Sequence, residues 1–339
     1  MKELQATPKR TSEVVVRRSK EKIDVLSDTM HIENLVTEFL HYNQFIRGRS
    51  PASIKRYKEN LSYFLRYTKI SELSEITHSL VLSFFINGRA ERNWSPATFH
   101  TYLMSLHVFF RWCVAKNYME KDFTEEIEKP RILKSLPKAL SKEDAEKLLE
   151  MVYNYPYPNP FLRYRNHAIF ATFIFTGLRR NELLNLKFTD VDIVNNTLFV
   201  NYGKGGKDRI VPLSSTLVFI LQKYLDMRKK NLYTCAEFFV SSKANKGFTE
   251  HGLKHFVKHL KKISPVHFTL HALRHTFATL MLEGGCDIYS LSKMLGHSDI
   301  KTTTVYLSAS AKHLRSQVVK HPLNNDYHNA AVLSCNFTS

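Results

Sequence analysis

The sequence predicts a mainly α-helical protein in two domains, the second of which carries a small antiparallel β-sheet. Three observations lead there. Between residues 31 and 125, apolar side chains recur at helical spacing with no strand-like alternation. Residues 126–139 then set Pro130 and Pro137 among mixed charges, the composition of an extended linker. Beyond it, helical segments are interrupted once, by two β-branched and aromatic runs flanking a glycine-rich turn. With 339 residues and an apolar fraction of 43%, the chain has material for two cores.

The elements follow in order. Residues 1–28 are polar and basic without apolar periodicity, and are expected to form a flexible arm. The helical domain, 29–125, contains an internal echo. Ser50-Pro51-Ala52-Ser53-Ile54 precedes Tyr57, Leu61 and Phe64; Ser95-Pro96-Ala97-Thr98-Phe99 precedes Tyr102, Leu106 and Phe109, 45 residues later (95 − 50). Each segment reads as a helix start with Ser at the N-cap and Pro in the first turn. The second domain, 140–322, opens with Ser141-Lys142-Glu143-Asp144, a capping-box pattern. Helices are expected near 141–153, 164–176 and 180–186. Strands are expected at Thr197–Tyr202 and Arg209–Leu213, joined by Gly203-Lys204-Gly205-Gly206-Lys207-Asp208 as a hairpin turn. Further helices are expected near 215–230, 250–263, 271–284, 287–295 and 300–306, with a last one at about 308–320. Residues 323–339 form a tail without a usable pattern.

Charge narrows the partner. Lys plus Arg is 49 against 31 for Asp plus Glu, a formal net charge of +18. Such an excess repels itself in the folded state and points to a polyanion, nucleic acid first and an acidic membrane surface second. No apolar run approaches the roughly 18 residues of a membrane span. The first 22 residues hold seven basic and three acidic side chains and no apolar stretch, unlike a secretory leader. Cys113, Cys235, Cys286 and Cys335 are scattered without paired spacing, which fits a reducing, cytoplasmic setting rather than a disulfide framework or a zinc site. A helix N-terminus offers free amides to a phosphate. The starts at Ser50 and Ser95, with Arg49, Lys55, Arg56, Thr98 and His100 beside them, are therefore the candidate DNA contacts of the first domain.

Four clusters in the second domain carry chemistry: Thr176-Gly177-Leu178-Arg179-Arg180-Asn181-Glu182-Leu183; the glycine turn with Lys204; His271-Ala272-Leu273-Arg274-His275; and Leu295-Gly296-His297 followed by Thr302-Thr303-Thr304-Val305-Tyr306. Taken singly, each has an ordinary reading. A lone arginine is usually a surface charge, and Tyr306 is one of 16 tyrosines. His271 and His275 share a helix face at i and i+4, but the metalloprotease pattern needs Glu after the first His and Ala272 sits there, so no metal is expected.

Together, in this order, the clusters resemble the tyrosine recombinase family, most closely its compact Xer-type members. The best matches are His271-x-x-Arg274-His275, Leu295-Gly296-His297 and the tyrosine nine residues after His297. The resemblance covers the whole second domain and, more loosely, the first. It implies a helical core-binding domain and a mostly α catalytic domain with a small antiparallel sheet, closing on DNA like a clamp.

It also implies a site-specific recombinase that cuts and rejoins DNA through a 3′-phosphotyrosine and a Holliday junction, without cofactor. Attack on a phosphodiester builds negative charge on its non-bridging oxygens, which two permanently charged arginines can grip; Arg179 and Arg274 are the candidates. Tyr306 is the candidate nucleophile. A phenol with a pKa near ~10 needs help to attack, and the resemblance assigns His271 and His297 to the phosphate and the phenolic proton. Lys204, with Lys207 as runner-up, would protonate the leaving 5′-oxygen. His275 is expected to order the site, Glu182 to brace it or serve its helix start, and Asp190 to be structural. The implied partners are double-stranded DNA with an inverted-repeat recombination site and further subunits, in a homotetramer on two sites, alone or with a related recombinase. The implied setting is chromosome-dimer resolution or mobile-element integration and excision. A type IB topoisomerase is the nearest enzyme alternative, and a non-catalytic DNA-binding regulator the alternative from another class.

Overall fold

The computed structural model describes residues 31–132, 137–201, 208–297, 299–309 and 311–318. They fall into two compact units, divided between residues 134 and 135. Among the described residues no helix is long and apolar enough to cross a membrane.

The first unit is helical. Helix α1 (Ile32–His41) runs on into a π-helical turn, Tyr42–Ile46; α2 is Pro51–Thr68, α3 His78–Ala90 and α4 Pro96–Ala115. The echoed segments open α2 and α4. The Ser50 hydroxyl accepts the Ser53 amide at 3.3 Å and the Ser95 hydroxyl accepts the Thr98 amide at 3.1 Å, with proline in the first turn of each helix. The repeat is spatial as well. Asn60 of α2 donates to the Ser105 hydroxyl at 2.8 Å, and Ser105 stands 45 residues further on, at the matching place in α4. Aromatic rings fill the space between the helices: Phe39, Phe64, Phe84, Phe109 and Phe110 are all buried. The stretch read as a linker begins inside this unit, since Ile127 is buried in its core and the Pro130 carbonyl accepts from His100 Nε2 at 3.0 Å.

The second unit is built around α6. Its helices are α5 (Lys142–Asn154), α6 (Pro160–Thr176), α7 (Arg180–Leu184), α8 (Ser215–Lys230), α9 (Glu250–Ile263), α10 (Leu270–Glu283), α11 (Ile288–Leu295), α12 (Lys301–Ala309) and α13 (Ala311–Val318). Toward its C-terminal end α6 has no polar face: Ala168, Ile169, Phe170, Ala171 and Phe173 are all buried, whereas Arg163, Tyr164 and His167 in its first half are partly exposed. It starts four residues earlier than its periodicity suggests, because Asn159 caps it, accepting the Leu162 amide at 3.0 Å, and Pro160 stands in its first turn. The sheet has three antiparallel strands in the order β1 (Val191–Asp192), β2 (Thr197–Val200), β3 (Arg209–Pro212), with Thr197 opposite Pro212 and Val200 opposite Arg209. The hairpin turn between β2 and β3, with Lys204 and Lys207, lies outside the described residues. Asp190 is structural: it accepts the Lys187 amide and the Asn201 side chain at 2.8 and 2.6 Å.

Candidate active site

Two glycines set the geometry. Helix α6 ends at Gly177 (φ +62°) and α11 ends at Gly296 (φ +65°), both in the left-handed region that side chains disfavour. A Cβ at Gly177 would stand 2.4 Å from the Phe277 ring, and one at Gly296 would stand 2.9 Å from Arg209 Cδ. Each turn points a carbonyl at an arginine. Gly177 O accepts from Arg274 at 2.6 Å, and Gly296 O from Arg179 at 3.3 Å.

Arg274 lies one turn into α10 and is 4% exposed. Its Nη2 donates to Leu295 O at 2.6 Å and to His297 Nε2 at 3.1 Å. Arginine has no acceptor, so His297 Nε2 must present its lone pair, and the proton sits on Nδ1, which meets the Thr303 hydroxyl at 2.8 Å. Burial, followed by the positive charges of Arg274, Arg179 and Arg209, holds this imidazole down to about 4. Burial and then the charge of Arg179 lower the Arg274 guanidinium to about 10, which leaves it cationic at neutral pH.

Arg179 is the N-cap residue of α7. Its amide donates to one Glu182 oxygen and its Nη1 to the other, both at 2.7 Å. The same carboxylate receives Arg209 bidentately, at 3.0 and 2.7 Å, and Arg209 Nε donates to Met294 O at 2.7 Å. Glu182 thus braces the site. Burial works to raise its carboxyl, but the hydrogen bonds and charge of Arg209, with those of Arg179, hold it down to about 2. Sequence reasoning missed Arg209, a buried cation that joins β3, α7 and the end of α11.

Tyr306 lies on α12 and is 3% exposed, packed with Phe277, Ala278, Leu282, Leu291 and Leu295. Burial raises the phenol, while the charges of Arg274 and Arg179 pull it the other way without overcoming the rise. Its hydroxyl lies 2.9 Å from His275 Nδ1. His271 stands exposed at the rim of the site, its ring 4.2 Å from that of His275; partial desolvation, then Arg274 and Arg179, lower its pKa. Arg179, Arg274, His271, His297 and Tyr306 therefore come together around the ends of α6 and α11, while Lys204 lies outside the described residues. Among the described residues, no group of three His, Cys, Asp or Glu side chains has the geometry of a metal site.

The candidate contacts of the first unit form a separate group. Arg49, Ser50, Lys55, Arg56 and Ser95 are exposed, and Thr98 and His100 are half-buried. Ser50, Ser95 and Thr98 are occupied with capping, and His100 with Pro130. Arg49, Lys55 and Arg56 are exposed cations, Lys55 lying 3.8 Å from Glu59.

A buried and a partly buried cation, a neutral histidine and a buried phenol make a site suited to transesterification at a phosphodiester. Residues 138–313 match the phage integrase family, and residues 35–120 match the N-terminal SAM-like domain of phage integrases. The tyrosine recombinase XerD of Listeria monocytogenes is 33% identical over 293 residues, 84% of this chain and 97% of that protein. The crystal structure of the XerH site-specific recombinase bound to palindromic difH substrate, in a post-cleavage complex, aligns over 81% of each chain at 25% identity and a TM-score of 0.65. A lambda integrase tetramer bound to a Holliday junction shares the fold at 15% identity and a TM-score of 0.66, covering 91% of this chain and 89% of that one. The chain belongs to the phage integrase family and is a tyrosine recombinase, an enzyme that cleaves and rejoins DNA by tyrosine transesterification. The topoisomerase and regulator alternatives are not favoured by these matches.

Proposed function

We propose that this recombinase works in the cytoplasm on a two-fold symmetric double-stranded DNA site, with Tyr306 as its nucleophile. The observation that carries the reading is the convergence of Arg179 and Arg274 on the turns at Gly177 and Gly296, beside His297 and Tyr306. The scissile phosphate binds between the two guanidinium groups. Their charge, held in a partly desolvated site, stabilises the pentacoordinate transition state more than the ground state. Tyr306 takes over the 3′-phosphate, and Lys204 protonates the departing 5′-oxygen. The phosphotyrosine conserves the energy of the broken bond, so a second DNA end restores the backbone without ATP. His271 donates to a phosphate oxygen, and His297 does so once its Nε2 leaves Arg274 and takes up a proton. Arg49, Lys55 and Arg56 of the first unit add a salt-dependent grip on the DNA backbone.

Exchange between two sites requires four subunits. The reading is a homotetramer on two inverted-repeat sites, alone or with a related recombinase, acting in chromosome-dimer resolution or in the movement of a mobile element. Leu314 and Val318 on α13 are exposed, and support a helix that docks into the neighbouring subunit.

The test uses a nicked duplex carrying the sequence that the full-length protein selects from a random library. Detergent-resistant protein–DNA adduct is expected with the native chain, and none with Tyr306→Phe, which should bind the duplex with unchanged affinity. Adduct formed by Tyr306→Phe would overturn the assignment of the nucleophile.

A further inference from the structure

Transesterification must remove a proton from the phenol, and the described histidines are unequally placed to take it. Both nitrogens of His297 are engaged, Nε2 by Arg274 and Nδ1 by Thr303. His271 stands at the rim, with its ring against His275. His275 alone among the described histidines reaches the reacting oxygen, with Nδ1 2.9 Å from Tyr306 Oη. The contact is not a surface accident. It joins α10 to α12 across 31 residues, beneath a phenol that is 3% exposed.

We infer that His275 is a further catalytic residue of this site, the group that accepts the Tyr306 proton as the phenolic oxygen attacks the phosphate. The inference rests on Tyr306 being the nucleophile. The step balances as follows: the Oη–P bond forms, the P–O5′ bond breaks, the Oη proton passes to Nδ1 of His275, and the 5′-oxygen takes a proton from the general acid. In rejoining, the same proton returns to the phenol as the 5′-hydroxyl attacks.

The surroundings suit the role. Burial, then His271 and Arg274, hold His275 down to about 4, so the imidazole is uncharged at neutral pH; the role requires the tautomer protonated on Nε2, whose Nδ1 lone pair faces Tyr306 Oη. A base this weak would be a poor one in the empty site. The scissile phosphate, however, brings a negative charge toward a ring whose proton affinity the Arg274 charge lowers. That charge favours the imidazolium, so proton affinity rises when substrate is bound.

Asparagine separates proton acceptance from mere positioning, because its side chain offers an acceptor close to the place of Nδ1 and cannot be protonated. His275→Asn should bind the selected duplex with native affinity and form adduct in single turnover about 100- to 1,000-fold more slowly. An acidified nucleophile should relieve the defect. Difluorotyrosine at position 306 is expected to restore at least about tenfold of the rate in His275→Asn and to give no gain in the native chain. His275→Gln serves as a second variant, with duplex binding and thermal melting as the check on folding. A rate within about threefold of native in a folded variant, or a loss that difluorotyrosine leaves unchanged, would overturn the proposal. Adduct persisting in Tyr306→Phe would instead overturn the reading beneath it.

Discussion

The arginines illustrate what one residue contributes here. Arg179 and Arg274 are legible in the sequence because each sits in a short pattern, after Gly177 and three residues past His271. Arg209 was not legible, since an arginine at the head of the run Arg209-Ile210-Val211-Pro212 looks like an exposed strand charge. Its partner Glu182 is 27 residues away, and the pairing is made by the fold rather than by local spacing. His275 was legible as a motif residue, but its contact with Tyr306 was not, for the same reason. Arg209→Ala leaves Glu182 buried with one cation. It should destabilise the protein by about 3 kcal/mol and cut the cleavage rate further than it cuts duplex affinity. Arg209→Lys should recover little of either, because a single ammonium cannot reproduce the bidentate contact and the bond to Met294 O. Melting curves and single-turnover cleavage measure the two effects. At the hairpin, a 5′-phosphorothiolate leaving group needs no proton and should rescue Lys204→Ala. Rescue of Lys207→Ala in its place would identify the other lysine as the acid.

Among the elements, the helices that start with a cap and a proline are the ones sequence reasoning located well. α2 and α4 begin where Ser50-Pro51 and Ser95-Pro96 say they should. α6 began earlier than expected although Asn159-Pro160 carries the same signal, because its sequence, buried all round toward the C-terminal end, has little periodicity to weigh against it. Strand β1 is two residues long and exists only through its pairing with β2, which no local pattern encodes. Helix α13 behaves differently from its neighbours. His313 is buried and lies 2.7 Å from Leu282 O of α10, so the helix rests on its own unit, while Leu314 and Val318 face outward at 51% and 68% exposure. Truncation after Ser308 should leave half-site binding intact and abolish cooperative pairing and recombination. Band-shift titrations on single and paired half-sites distinguish these outcomes, and a truncated protein that recombines at the full-length rate would remove α13 from the coupling.

The molecule as a whole joins its site to its stability through two histidines. His275 and His297 are held at about 4 in the folded chain, against an ordinary value of 6.5. Between those values the unfolded chain binds protons that the folded chain refuses, so unfolding is favoured as pH falls. The stabilisation is complete above about 6.5 and is lost progressively toward 4; both rings are half-buried, so solvent screening trims its size. The melting temperature of the full chain should therefore decline from pH 7 to pH 5, and His297→Gln should flatten the decline. A slope unchanged by that substitution would show that other groups govern it. The two-domain helical plan was legible from periodicity and from the linker prolines. The point at which the first unit ends was less so, because Ile127 is drawn back into a core that the sequence cannot display.

The bond from Arg274 to His297 has a consequence for how DNA is received. Arg274 already commits both hydrogens of Nη2, to Leu295 O and His297 Nε2, and one of Nη1, to Gly177 O. Among the described residues, what remains for an incoming phosphate is the Nε hydrogen and the other Nη1 hydrogen, unless His297 lets go. On the proposed reading, a phosphodiester that reaches Nη2 exchanges partners there instead of filling a vacancy. Such an exchange yields little net affinity at this spot, because one bond is given up for another. On that reading, most of the grip that holds DNA comes from elsewhere on the protein. On the proposed reading, the full strength of these cations is kept for the moment when the phosphorus is five-coordinate and its oxygens carry the most charge.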